Sequence, residues 1–154
     1  MNTATLALNA ADAKEALLEI SGLHLILPQK EIRALEAASD IDTDDAQPFS
    51  VGWIQYLQQR WPVYCLSSEL SLLVMAPPER RACVLLDAGT GYVGILCDEV
   101  SIARQAQAQR HELPSVMRLP ETPVLGLAVL DGGEIACITG GKQMAAHVAR
   151  LVGM

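Results

Sequence analysis

The chain is 154 residues long, 51% hydrophobic and 19% charged, with eleven Lys and Arg against eighteen Asp and Glu for a formal net charge of -7. Such a composition can bury the core of one compact domain, or of two small lobes sharing a core, and it excludes global disorder. Residues 1–59 hold three basic and nine acidic side chains, and no Lys/Arg cluster exists anywhere to neutralise a phosphate backbone, so nucleic-acid and anionic-membrane binding are disfavoured.

Aromatic residues make up only 4%, which leaves few stacking platforms for single-stranded bases. No apolar run reaches the ~18 residues of a membrane-spanning helix, and the N-terminus MNTATLALNAADAKEA lacks a basic start followed by a long apolar stretch. The expectation is a cytoplasmic chain with no direct membrane insertion. Cys65, Cys83, Cys97 and Cys137 are widely spaced with no CxxC pair, which reads as four buried thiols, not a zinc site or a disulfide framework.

In chain order, Asp12–Leu18 is helix-prone by composition and equally able to enter a first strand. Leu23, Leu25 and Leu27 alternate after the turn pair Ser21-Gly22, the period of a strand. Gly52–Leu57, a Gln58-Gln59 turn and Arg60–Leu66 predict a hairpin. Residues 67–75 (SSELSLLVM) predict a short helix capped by Ser67 or Ser68. Ala82–Asp87 and Tyr92–Cys97, joined by Ala-Gly-Thr-Gly, predict a second hairpin. Val124–Leu130 and Glu134–Ile138 around Asp131-Gly-Gly133 predict a third. In segment 142–152, Met144, Val148, Leu151 and Val152 share one helical face.

A weak internal repeat links these elements. Leu25–Ile32 resembles Gly94–Val100, each a strand leading to a β-branched residue, and a strand-starting glycine recurs at Gly52 and Gly126. Short strands punctuated by turns favour small barrels or a sandwich over a parallel α/β sheet. The expected architecture is mainly β, two SH3-like five-stranded barrels related by a pseudo-twofold. It forms one domain over 1–154 with approximate lobes 16–76 and 80–140, short helices, and a C-terminal helix able to pack back on the first lobe.

Candidate chemistry is sparse. Gly89-Thr-Gly91-Tyr-Val-Gly94 spells GxGxxG, and in a dinucleotide-binding fold it would open a helix over Ile95–Gln109 with Glu112 near the place of a ribose-binding acid. No strand–helix–strand alternation surrounds it, and a hairpin turn explains the glycines with less machinery. Asp40-Ile-Asp42-Thr-Asp44-Asp45 starts like a calcium loop, but Asp45 replaces the turn glycine and Val51 the bidentate Glu. Gly140-Gly-Lys142 is followed by Gln143, not the Ser/Thr of a phosphate loop. His24, His111 and His147 are isolated in sequence and form no metal-binding or nucleophile-activating motif. The reading is a non-enzyme with no catalytic residue, cofactor or metal.

Four segments together resemble the CheW-like coupling (adaptor) family of chemotaxis. Val51–Leu66 is similar to its first-half hairpin ending in Pro-Val-Val-Asp-Leu, and Tyr92–Val100 to its second-half strand ending in Val-Asp-Glu-Val. Leu25-Ile-Leu-Pro28 followed by Ile32 is similar to its first-half strand, and Val124–Ile135 to its closing hairpin. The likeness spans about residues 16–148. It implies a non-catalytic adaptor that couples a chemoreceptor signalling tip to a CheA-class histidine kinase by barrel-to-barrel docking, with the receptor helix in an apolar groove between lobes. The chain departs from the pattern where Leu57 replaces an Arg, Gln58 a Gly, Cys65 an Asp, Thr139 an Asp, and Ala34 a Glu.

The resemblance nominates Ile32, Leu35, Ile54, Leu57 and Arg60 in the first lobe and Asp98 and Glu99 in the second as partner contacts. Arg60 stands in for the missing Arg. Two alternatives remain open at this point: a diverged stand-alone module binding a different regulatory protein, and a nucleotide-dependent enzyme built on Gly89–Gly94. Pathway, partner and oligomeric state are not encoded legibly.

Overall fold

A computed structural model describes residues 14–104, 109–114, 116 and 123–153. Asp12, the rest of the N-terminal stretch and part of the alternative helix over Ile95–Gln109 lie outside the described residues. The helix-or-strand ambiguity from Lys14 onward resolves as strand: β1 (Lys14–Ile20) pairs antiparallel with β2 (Leu23–Pro28) across the Ser21-Gly22 turn. Ala16, Leu18 and Ile20 are fully buried on one face of β1, as period-2 patterning requires.

The remaining strands are β3 (Ile32–Ala37), β4 (Gly52–Tyr56), β5 (Gln59–Leu66), β6 (Leu72–Leu73), β7 (Ala82–Asp87), β8 (Tyr92–Cys97), β9 (Glu99–Arg104), β10 (Gln109–Glu112), β11 (Gly126–Val129) and β12 (Ile135–Ile138). One helix, α1 (Gly141–Leu151), follows. They form two curled sheets. The first runs β3-β7-β8-β5-β4 with β6 appended to β5; the second runs β10-β11-β12-β2-β1-β9. Both share one pattern. Three antiparallel strands lead to a parallel pair (β8 with β5, β2 with β12) and then to an antiparallel hairpin.

That shared pattern is the internal repeat, with one change from the expected lobes. The sheets are not the consecutive halves 16–76 and 80–140. Hairpin β1–β2 of the first half sits in the sheet of the second half, and hairpin β7–β8 sits in the sheet of the first. The chain crosses between sheets at Gln29–Glu31, a single 3-10 turn, and again at Asp98. Ile32 and Val100, the residues that sequence comparison aligned, stand just past these two crossings.

The exchanged hairpins face each other across the main core. Ala16, Leu18, Ile20, Leu25 and Leu27 pack with Val84, Leu86, Val93, Ile95 and Cys97, and with Tyr64 and Leu66 from β5. Met144 and Val148 of α1 close this core, so the C-terminal helix packs back onto the first sheet, while Leu151 stays 37% exposed. The opposite faces of β7 and β8 bury Cys83, Leu85 and Leu96 inside the first lobe with Ile54, Val63 and Cys65. A hairpin buried on both faces needs unbroken apolar runs, hence ACVLLD and YVGILC. The second lobe holds a smaller core of Ile26, Ala128 and Ala136.

Two sequence expectations fail locally. Residues 67–75 form no helix: the Ser67 Oγ accepts from the backbone N–H of Glu69 and Ser71, both at 3.1 Å, and Leu70 takes φ +60. A left-handed residue stops helix propagation, and burial of Leu70 in the main core holds it there. The first-lobe hairpin turns at Leu57-Gln58, one residue early, because Tyr56 pairs with Gln59. The glycine-rich run is a turn: Asp87 Oδ1 accepts from Gly89 N at 2.8 Å, and Tyr92 already begins β8. Strands β8 and β9 follow it where a dinucleotide site needs a helix.

Cys65, Cys83 and Cys97 are buried, whereas Cys137 is partly exposed. Burial pushes the Cys83 thiol up to about 12 and raises Cys97 further. A Cβ at Gly94 would lie 2.8 Å from Val63 Cγ2 and 2.9 Å from Cys83 Sγ. Gly94→Ala is therefore expected to cost about 1–3 kcal/mol, read as a lowered urea midpoint at unchanged slope. Buried thiols protonated in the native state and ionised in the unfolded chain make stability fall as pH rises from about 9 towards about 12. Urea titrations across that range should show the fall, and Cys83→Ala should reduce it.

Candidate partner-docking surface

Leu57 and Gln58 carry φ +51 and +62, the left-handed backbone that a two-residue primed hairpin turn needs and that Asn-Gly normally supplies. Forcing Leu there costs roughly 1 kcal/mol. The turn holds Leu57 64% exposed at the tip of the first lobe. Tyr56, beside it, donates its hydroxyl to the Arg33 carbonyl at 3.3 Å and so brings β4 against β3, the other edge of the sheet. Tyr92 meets Tyr56 and Trp61 edge-on at 5.3 and 4.8 Å, stiffening this end of the barrel.

β3 alternates, with Arg33, Leu35 and Ala37 outward. Leu35 is 58% exposed on the strand that Tyr56 ties to the hairpin, at the level of Val84 and Ile95, whereas Leu57 is exposed at the hairpin's turn. Arg33 pairs with Asp87 at 2.9 Å. The Asp87 carboxyl lies below its ordinary range because the Gly89 N–H and then Arg33 stabilise its charge. Arg60 lies farther along β5, exposed, its guanidinium 4.0 Å above the Trp53 ring, so it offers a charge from a different face than a turn residue would.

The structure buries one nominated residue and half-buries two others. Ile54 is 3% exposed and sits in the first-lobe core, since its position on β4 points inward opposite Trp61. Ile32 is half-buried against the main core. Asp98 stands at the second sheet crossing, where Oδ1 lies 2.7 Å from Arg80 Nε and Oδ2 accepts the Ser21 N–H at 3.0 Å. The Arg80 N–H is not aligned on that oxygen, so the contact is a charge pair and not a hydrogen bond. Glu99 is exposed and borders a cleft of about 220 Å³ with Leu17, Glu19, His24 and Ser101. His24 Nε2 there lies 3.3 Å from Glu134.

Arg80 is the residue sequence reading missed. Its side chain is 0% exposed, and it donates to Ser21 Oγ at 2.7 Å and Cys65 Sγ at 3.1 Å, joining both sheets and the crossing strand. Nothing in PPERRAC separates it from an exposed Arg. Its neighbour explains one departure: Cys65 stands where the family has Asp, and it is fully buried facing Arg80, not a docking surface. Thr139 is likewise buried, donating to the Pro123 carbonyl at 2.7 Å, and Ala34 packs on the first-lobe core. Only Leu57 and Gln58 among the departures alter the outer surface. A second cleft, of about 270 Å³, is lined by Glu31, Arg33, Asp87, Lys142 and Gln143, and there Glu31 accepts the Gly141 N–H that opens α1, at 2.6 Å. Among the described residues no group of three His, Cys, Asp or Glu side chains is arranged to hold a metal ion, and no helix is long and apolar enough to cross a membrane.

Replacing Asp98 strands a buried guanidinium. Asp98→Asn is expected to lower stability by about 3 kcal/mol, with Arg80→Met plus Asp98→Asn recovering much of it because no buried charge remains. Urea denaturation of the two variants checks both.

Comparison with known proteins agrees with this architecture. A family model described as the CheW-like domain matches residues 16–148. A search of curated proteins returns no significant match. Among solved structures, the scaffolding protein TtCheW from Thermoanaerobacter tengcongensis superposes with a TM-score of 0.62 at 14% identity, over 83% of this chain and 88% of that one. With its exchanged hairpins, two SH3-like curled sheets and closing helix, the chain belongs to the CheW-like domain family.

Proposed function

We propose that this protein is a non-catalytic signalling adaptor that links a chemoreceptor signalling tip to a CheA-class histidine kinase, in chemotaxis or in pilus-type motility. The observation that carries this reading is the CheW-like match over residues 16–148. The neighbour of the same fold is itself described as a scaffolding protein. The contacts on the first lobe are Leu35 and Leu57, and Glu99 marks a contact on the second lobe. Coupling requires contacts that form and release, and small, partly apolar interfaces supply affinities that a few kcal/mol can tune.

A second reading is favoured by one specific observation. The exposed turn carries Leu57-Gln58 in place of Arg-Gly, which exchanges a charge-assisted contact for an apolar one. On that reading the module docks on a different regulatory protein whose matching surface is apolar.

Titration calorimetry with the regulatory domain of a CheA-class kinase and with a receptor tip from the same organism tests the first reading. The expected result is micromolar binding to at least one, weakened about tenfold or more by Leu57→Asp. Binding to neither sinks it. Leu57→Asn with Gln58→Gly separates fold from function: it should raise stability by about 1 kcal/mol while reducing binding, since it relaxes the turn and removes the apolar tip. If neither partner binds and Leu57→Arg with Cys65→Asp still fails to create kinase binding, the second reading stands.

A further inference from the structure

We propose that Trp61 is a positioning residue for docking at Leu57: its indole N–H and ring lock the left-handed Leu57-Gln58 turn and so fix the direction in which Leu57 meets a partner. The proposal rests on the reading of Leu57 as a partner contact. Neither turn residue is glycine or asparagine, yet both hold positive φ, +51 and +62. Left to itself, such a pair gains by relaxing to negative φ, which splays the strands and swings the turn side chains away. Leu57 is 64% exposed, so burial of its own side chain does little to hold it. The restraint has to come from outside the turn.

Register places Trp61 to supply it. Tyr56 pairs with Gln59 across the turn and Ile54 pairs with Trp61, so Tyr56 and Trp61 are diagonal neighbours on one face of the hairpin. An aromatic side chain spans that diagonal. The Trp61 indole N–H donates to the Tyr56 carbonyl at 2.8 Å, at the peptide that enters the turn. A held carbonyl fixes the peptide plane about which the φ of Leu57 rotates. The Trp61 ring is held in its turn. Tyr92 packs edge-on against it at 4.8 Å and against Tyr56 at 5.3 Å. Gly91 gives the ring its room, because a Cβ there would lie 2.7 Å from Trp61 Cζ3. The Tyr56 hydroxyl donates to the Arg33 carbonyl at 3.3 Å. The residue that enters the turn is therefore held at its carbonyl, its ring and its hydroxyl, and Trp61 makes the bond nearest to Leu57.

The test joins NMR of the full chain to titration calorimetry with the kinase regulatory domain and the receptor tip. In the natural chain Leu57 and Gln58 should give strong intraresidue Hα–HN cross-peaks, the mark of positive φ. Trp61→Phe keeps an aromatic ring against Tyr92 but removes the N–H; it should weaken both cross-peaks and reduce binding about tenfold. Gly91→Ala pushes on the same ring from another turn and should act in the same direction. Adding Gln58→Gly to Trp61→Phe should restore the Leu57 cross-peak and the binding, because glycine keeps positive φ without an anchor. In a Leu57→Ala background Trp61→Phe should cost no further binding, since the side chain it positions is gone. Unchanged cross-peaks in Trp61→Phe, no rescue by Gln58→Gly, or an equal loss of binding in the Leu57→Ala background overturns the proposal. If the natural chain binds neither partner, the adaptor reading fails, and the cross-peaks and their rescue alone decide the role of Trp61.

Discussion

Face-to-face packing of two exchanged hairpins is the constraint on which the molecule depends. Each half of the chain is too small to bury an adequate core alone. By lending β1–β2 to one sheet and β7–β8 to the other, the halves make a single core in which Leu18, Leu25 and Leu27 meet Val84, Leu86 and Ile95. Neither lobe is complete without strands from the other half. The relation between lobes is therefore built into the topology and not left to a linker. A scaffold benefits from that arrangement, because surfaces on different lobes keep a fixed geometry when one of them is occupied.

The crossings concentrate the polar cost of this exchange. At the first, Glu31 reaches the opening N–H of α1, a partner 110 residues away in sequence. At the second, Asp98 meets Arg80, whose guanidinium also touches Ser21 and Cys65. Both carboxylates satisfy backbone N–H groups of other segments, Gly141 at the start of α1 and Ser21 in the β1–β2 turn. His147 adds a third tie: its ring Nδ1 accepts from Arg150 at 2.8 Å, which leaves Nε2–H to donate to the Leu70 carbonyl at 2.7 Å. The helix is thereby anchored to the left-handed Leu70 that breaks the expected helix over 67–75.

The surface divides by role. The first lobe exposes Leu57 on strained turn backbone beside the Tyr56–Tyr92–Trp61 cluster, and Leu35 on the edge strand β3. The second lobe closes differently, through an ion pair between Glu15 of β1 and Arg110 of β10. The departures from the family pattern act on two levels: Leu57 and Gln58 change what a partner meets, whereas Cys65, Thr139 and Ala34 change interior contacts.

The sequence by itself determined three hairpins and most turns, because period-2 burial, apolar runs and glycine-bearing loops are local properties: Leu23–Leu27 stands where alternation puts it, and Ala82–Cys97 and the closing hairpin stand where apolar runs flank a glycine turn. It also carried the repeat and the family likeness, which rest on order and spacing. Which sheet each hairpin joins was decided only in three dimensions, since a strand's pattern states that one face is buried and not against what. The same limit hid Arg80, whose burial comes from Asp98 and Ser21 far along the chain. It also misplaced Ile54, because an apolar residue on a strand reads alike whether its partner is another protein or its own core.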